Sequence, residues 1–480
     1  MTGFGVVGTA ATAIVASIAD PQNGRQLADG ARGPSVASRA WLAYATSVRK
    51  RVGLLLFLVF ADDYECAYRS HFNAPMAWVN PLIEPTIIKV RPFDLILLLI
   101  LLAASFDRKN RAAYTKPMRN VLLGTVTTTV LWFVYGLVRG GDARMASWQI
   151  YLILSTVLLS FTVAATFRTT ADFAGLAKWF IAAALYRALM CWIAYFSWGS
   201  VILGESGAFL TAHGDTITWV VAIVILIANA LDRRKLTVTS RNIAGIIFFL
   251  GAIQWNSRRV AWVSLAMALA VTYSLLPRGA AKKAVVRLVR VAGPVLLLYA
   301  VVGWGRQNPI FLPLRSLSSV TTQEDSSTKA RNAENLGLIA TSKYSSILTG
   351  TGWGVGYAPV SMKYSIAWIE LWKYEPHNSI LGLLAFTGIL GFAGIWLPVP
   401  TAVFLNARVA RLGTDPRTRS VAMVGVAQLI VSANQFYGDI GIFSIQAMYV
   451  MAITYAMALR LPIRAGVWSG PAPIASPRNR

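Results

Sequence analysis

Apolar segments recur along almost the whole chain, and this recurrence constrains the fold more than any other feature. Twelve of them lie near residues 52–61, 92–106, 120–138, 148–167, 172–198, 216–231, 243–254, 260–276, 291–304, 378–406, 418–434 and 443–459. A straight helix needs about 20 apolar residues to cross a bilayer. Several of these segments are shorter, the first most of all. Composition decides between an anchored soluble domain and a polytopic protein. The chain is 56% hydrophobic with mean hydropathy +0.55, whereas soluble domains hold about 45–50% apolar residues. The predicted fold is an all-α polytopic membrane protein with about 12 transmembrane helices. One large loop of short helices separates the ninth span from the tenth.

Loop charge sets the sidedness. The net charge is +25, which on a soluble chain would suggest a nucleic-acid partner. In a polytopic protein, basic residues collect in the loops that stay in the cytoplasm, so no nucleic acid is expected. Segments 107–119, 232–241, 277–290 and 407–419 carry five, four, five and four Lys or Arg. The short loops between them carry two, none, two and none. This alternation puts both termini inside and the 72-residue segment 305–376 outside. The chain then divides into a basic cytoplasmic tail (1–51), spans 1–9 (52–304), the external loop (305–376), spans 10–12 (377–460) and a second cytoplasmic tail (461–480). The opening residues lack the basic stretch of a secretory signal, and residues 1–40 are expected to be poorly ordered. Cys66 and Cys191 offer neither a disulfide framework nor metal-ligand spacing.

A loop as long as 305–376 is usually functional or disordered. Its glycines and aromatics, in "WGVGY" and "IAWIELWKY", predict a packed one. Four features meet on this side. His377, one of three histidines, opens "HNSILGLLAFTGILG". Its imidazole suits a general base near neutral pH, or it is an interfacial histidine bonded to a helix end. Arg258 and Arg259 share a short turn. They can grip a diphosphate in bidentate fashion or anchor lipid headgroups, although the charge bias disfavours an arginine pair outside. Arg331 and Glu334 lie one helical turn apart, as site residues or as an exposed ion pair. "GTGWGVGY" (350–357) can aim backbone N–H groups at an anion or form a flexible turn, and it lacks the context of a dinucleotide fingerprint. The ridge Ala385, Gly388, Gly391, Gly394 thins one helix face so that a neighbour or a lipid chain can lie against it.

His377-Asn378, nine residues (Ser379 to Thr387), then Gly388-Ile389-Leu390-Gly391 resembles, without departure, the motif of the O-antigen ligase and O-antigen (exopolysaccharide) polymerase superfamily of bacterial membrane glycosyltransferases. That family carries the motif at the outer end of a span after a large periplasmic loop. It also has an arginine in an earlier external turn, matched by Arg258 or Arg259, and one in the loop ahead of a Gly-x-Gly turn, matched by Arg331. The resemblance covers roughly residues 90–460, and the tail before residue 50 has no counterpart. It implies a multi-pass protein of the bacterial inner membrane with a periplasmic site. The donor would be a glycan on undecaprenyl diphosphate, and the acceptor a second glycan or lipid A-core. His377 would orient or deprotonate the acceptor hydroxyl. Arg331 and Arg258 or Arg259 would stabilise the leaving diphosphate. Asn378 and Glu334 would support them, and Gly388 and Gly391 belong to the motif. No metal, cofactor or ATP is implied. The bilayer and other polysaccharide assembly proteins are further partners.

Two rival readings exist. Asp62, Asp63 and Glu65 in "FADDYE" are the kind of acidic cluster through which a metal-dependent glycosyltransferase works, or an ordinary acidic loop. A non-enzymatic flippase or transporter would need ionisable residues inside spans, and only Arg187 clearly qualifies, to snorkel or to meet a lipid phosphate. Within the glycosyltransferase reading, a polymerase must hold two lipid diphosphates. The external cations Arg258, Arg259, Arg306, Arg315, Lys329, Arg331, Lys343, Lys363 and Lys373 modestly outnumber Glu324, Asp325, Glu334, Glu370 and Glu375. This favours a polymerase of surface polysaccharide over a lipopolysaccharide ligase.

Overall fold

The computed structural model describes residues 36–63, 66–71, 74–84, 91–105, 114–203, 209–232, 239–304, 306, 308, 311, 314, 326–360 and 371–469. Glu65, Arg315, Glu324, Asp325, Lys363, Glu370 and the first 35 residues lie outside them. All regular structure among the described residues is helical. The helices longer than four residues are α1 (Val36–Ala61), α2 (Pro92–Ser105), α3 (Lys116–Val138), α4 (Ala143–Thr166), α5 (Thr170–Ile202), α6 (His213–Asp232), α7 (Ser240–Trp255), α8 (Arg259–Leu275), α9 (Ala280–Gly303), α10 (Ser326–Tyr344), α11 (Ser379–Trp396), α12 (Pro398–Leu412), α13 (Pro416–Gly438) and α14 (Ile445–Arg464). Seven segments are long and apolar enough to cross a membrane: α3, α4, α5, α6, α9, α11 with α12, and α13. A helix stands at each of the twelve expected positions, α11 and α12 sharing one.

Local sequence explains the boundaries. Asp142 caps α4 by accepting from Met145 N (2.8 Å). Thr169 and Asp172 form a capping box at α5. Asp415 caps α13 through Thr418 N (3.0 Å), with Pro416 as first helical residue. The first helix departs from expectation. It begins at Val36, within the segment read as tail, because no Gly or Pro interrupts 36–52. Arg49 also pairs with Asp172 at the start of α5.

The core centres on α14, buried without interruption from Gln446 to Pro462. It packs on α4, α12 and α13. Small and hydroxyl side chains line these contacts, and Thr454 Oγ1 bonds Gln428 Oε1 at 2.7 Å. By contrast, α9 is peripheral: none of its apolar window is buried.

Helix ends gather in two layers. One holds the Arg49–Asp172 pair, the Thr170–Thr418 bond (2.7 Å) and Arg460 donating to Ala164 O (2.6 Å). The other holds Asp63, Asp142, Asp215, Asp439 and the described parts of segment 305–376. Much of that segment, and with it the expectation of short helices, lies outside the described residues. Its main element is the 19-residue α10, which packs on α11.

Residues 350–354 are buried, and together with 346–349 they occupy a break in α11. At Gly388 the backbone leaves the helical region (φ 60°, ψ −172°), a conformation open essentially to glycine. Thr351 N and Gly352 N donate to Ala385 O (3.1 Å) and Phe386 O (2.8 Å). Ile389 N and Leu390 N donate to Ile347 O (2.9 Å) and Leu348 O (3.1 Å). A broken helix is tolerable in an apolar layer only when the freed groups find such partners. A Cβ on Gly388 would lie 2.3 Å from Leu348 C, and one on Gly136 of α3 would lie 2.0 Å from Trp353 O. Farther along the ridge, Gly391 faces Trp132 and Gly394 faces Thr128, both of α3. The small residues therefore seat a loop and a helix, and "GTGWGVGY" is a packed wedge rather than a flexible turn.

Candidate functional site

The wedge and the α11 cap fix His377. Asn378 Oδ1 accepts from Leu381 N (3.1 Å), which makes Asn378 the N-cap of α11. Ser379 Oγ accepts from Ile442 N (3.2 Å), tying this end to the turn after α13. Asn378 is thus the cap of this helix, with its Oδ1 committed to Leu381 N. Gly388 and Gly391 likewise face loop and helix.

His377 pairs with Glu334 of α10. Nδ1 lies 3.2 Å from Glu334 Oε2, and His377 N donates to the same oxygen at 3.1 Å. Tyr357 OH donates to Oε1 at 3.4 Å. Burial, and then the Glu334 charge, push the Tyr357 phenol well above its ordinary value, so it stays a donor. A carboxylate at Nδ1 holds the proton there and leaves Nε2 as acceptor.

One turn along α10, Arg331 Nη1 donates to Gly438 O at 2.6 Å, and Nη2 stands 4.0 Å from Asp439 Oδ1. Asp439 also binds His213 Nδ1, and His213 Nε2 meets Arg258 Nη2 at 3.1 Å. The Arg258 guanidinium stacks 3.7 Å from the Phe209 ring centre. Burial lowers Arg258 to about 10 against the pull of Asp439, with Arg331 adding to the decrease. Burial alone would raise the Asp439 carboxyl, but the hydrogen bond from His213 and the charges of Arg331 and Arg258 lower it below the usual carboxylate range. Two guanidinium atoms in this cluster, Arg258 Nε and Arg331 Nε, are buried without a hydrogen-bond partner.

The expected residues therefore converge in part. Glu334, Arg331 and His377 meet through α10, and Arg258 joins them through Asp439. Arg259 begins α8, while Arg258 is the member of the pair that reaches His213. Sequence reading missed His213 and Asp439. Both stand at helix ends on the same side, in loops free of Lys and Arg, and a scan for acid and histidine at the helix ends on the His377 side would have found them.

The rival residues lie elsewhere. Arg187 neither snorkels nor reaches lipid: it is fully buried. It bonds Asp215 Oδ1 (2.7 Å), Asp63 Oδ1 (2.5 Å) and Asp62 O (2.7 Å). Asp63 also accepts from Tyr68, Tyr186 and Met76 N. An aspartate so engaged is poorly placed to hold a metal. No cluster of three metal-ligating side chains occurs among the described residues.

No protein-family model matches the sequence, and no curated protein matches it either.

Proposed function

We propose that the chain is a metal-independent glycosyltransferase that polymerises lipid-linked repeat units of a surface polysaccharide at the outer face of a bacterial inner membrane. In this reading all twelve helical positions cross the bilayer, both termini are cytoplasmic, and α10 with the wedge lies in the periplasm. The gathering of Arg49, Arg408, Arg419 and Arg460 at the layer opposite His377 agrees with that sidedness.

One observation carries the chemical reading. A carboxylate-held histidine and two arginines with unpartnered guanidinium atoms converge at one end of the helices. The acceptor hydroxyl loses its proton to His377 Nε2 and its oxygen attacks the anomeric carbon. The bond from that carbon to the diphosphate oxygen breaks, its electron pair leaves with the lipid diphosphate, and the centre inverts. Arg331 and Arg258 hold the departing charge. Preorganised donors of this kind supply the largest part of such catalysis.

Deletion of the gene tests the reading. A polymerase mutant retains single repeat units on their acceptor or accumulates single units on undecaprenyl diphosphate. Accumulation of long lipid-linked polymer with none on lipid A-core would instead make the protein a ligase. Unchanged polysaccharide would remove the transferase reading altogether.

A further inference from the structure

The motif accounts for His377, Arg331 and one external arginine, but not for the second histidine. His213 sits at the first position of α6, with Nδ1 on the buried carboxylate of Asp439 and Nε2 3.1 Å from Arg258 Nη2. A guanidinium can only donate. Nε2 must therefore be the acceptor, and Nδ1 carries the proton that Asp439 receives. The ring is neutral and fixed in one tautomer. It repeats the His377–Glu334 arrangement on the other side of Arg331: a buried acid at Nδ1 and an acceptor nitrogen beyond it.

We propose that His213 is a second proton-handling residue of this site, taking up a proton at Nε2 when a lipid diphosphate draws Arg258 away. The inference rests on the diphosphate-binding part of the proposed function. Diphosphate oxygens compete with an uncharged imidazole for the Arg258 guanidinium, and the anion is the stronger acceptor. Once Arg258 turns to the anion, a bare Nε2 lone pair would face phosphate oxygen. A protonated Nε2 instead donates to it, and Asp439 offsets the new charge. When the anomeric C–O bond breaks, its electron pair gives the leaving diphosphate one more negative charge. The His213 proton then passes to the oxygen that carries it, while the acceptor proton has gone to His377.

The neighbours of His213 fit this role. Asp439 comes from the turn after α13, Arg258 from the turn before α8, and Arg331 from α10 behind Asp439. On its own helix, Asp215 is committed to Arg187. The Phe209 ring covers one side at 4.8 Å between centroids, edge to face. The Gln446 side chain, which is uncharged, packs at Gly214. Among the described residues only Asp439 presents an anion to His213 directly, and it lies at Nδ1, away from the Arg258 side.

The test uses the purified full-length protein in detergent and a short-chain dialkyl diphosphate diester, which keeps two fixed charges across pH 5.5–8.5. Calorimetry in buffers of different ionisation enthalpy counts the protons taken up on binding. The wild type should take up close to one proton. Its affinity should rise as pH falls, by at most about tenfold per pH unit. H213Q should bind with no uptake and a flat pH profile, whereas H377Q should keep the uptake. Binding without net uptake in the wild type, or uptake that persists in H213Q or disappears in H377Q, would overturn the role of His213 and leave the diphosphate site standing. No binding at all would overturn both. If H213Q does not fold, the wild-type count together with H377Q decides.

Discussion

Two ionic clusters stand in the same layer of this protein, and they are built to opposite ends. Around Arg187, every side chain is closed off: Arg187, Asp63 and Asp215 are each 0% exposed. The guanidinium is saturated by two carboxylates, a carbonyl, Cys66 and Tyr68. Around Arg331 the carboxylates are equally buried, but the side chains opposite them are open. Arg331 is 36% exposed, His213 26% and His377 17%. Arg331 Nε and Arg258 Nε lack partners. A saturated buried pair contributes to one folded arrangement and has nothing left for a ligand. An unsaturated one keeps donors in reserve for an anion that arrives later. The comparison teaches that arginine inside a membrane-protein bundle is no pointer to a transport path until its partners are counted.

Removing the closed cluster's cation should have the largest effect. Arg187→Leu leaves Asp63 and Asp215 buried without their counter-charge, which costs about 3–5 kcal/mol. Little monodisperse protein should survive size exclusion in detergent. Arg331→Leu should leave folding nearly intact. Equal losses in both variants would erase the distinction between the clusters.

Next comes the histidine proposed as base in the open cluster. His377→Ala should lower glycan transfer by about 10²- to 10⁴-fold while the protein inserts and elutes as wild type. Retention of more than about a tenth of the activity would take proton abstraction away from His377.

The glycine pair sharpens the same contrast between scaffold and site. Gly388→Ala places a Cβ on the Leu348 backbone at a positive φ, and should destabilise by about 1–3 kcal/mol or more. Gly391→Ala meets Thr387 Cβ at 2.5 Å and the Trp132 ring rather than a crossing backbone, and at no positive φ, so a smaller drop in unfolding temperature is expected. Equal drops would mean that the wedge is not what the motif glycine serves.

The smallest effect is a reaction that does not occur. Cys66 lies just beyond α1, where simple topology makes it accessible to an impermeant thiol reagent. It is instead buried beside Arg187, and burial pushes its thiol up to about 12 against the pull of Arg187. Labelling should fail in intact spheroplasts and after lysis alike, and should appear in denaturant. Rapid labelling of the folded protein would reopen the closed cluster.

Much of the architecture was legible because it follows from solvent preference. Apolar length and loop charge located a helix at each expected position, and the aromatic, glycine-rich loop foretold a packed segment. The boundaries followed from local caps such as Asp415-Pro416. The start of α1 was misplaced although no Gly or Pro interrupts 36–52, and the Arg49–Asp172 contact, 123 residues apart, adds support that no local pattern reveals. The site was legible where its residues share one element, as Arg331 and Glu334 do at i and i+3, or one motif, as His377 and Gly388 do. His213 and Asp439 escaped notice because each is ordinary in its own segment.

The sequence by itself determined the helical character, the alternation of basic loops and the presence of a glycine at the one backbone position that breaks α11. Those are properties of single residues and their near neighbours. Only the tertiary structure decided which charges cancel and which remain available. Arg187 and Arg258 are alike in composition terms, yet two carboxylates close on one, and a neutral imidazole with a ring face meets the other. Coulombic pairing depends on distance in space, and the partners here lie between 28 and 226 residues apart along the chain.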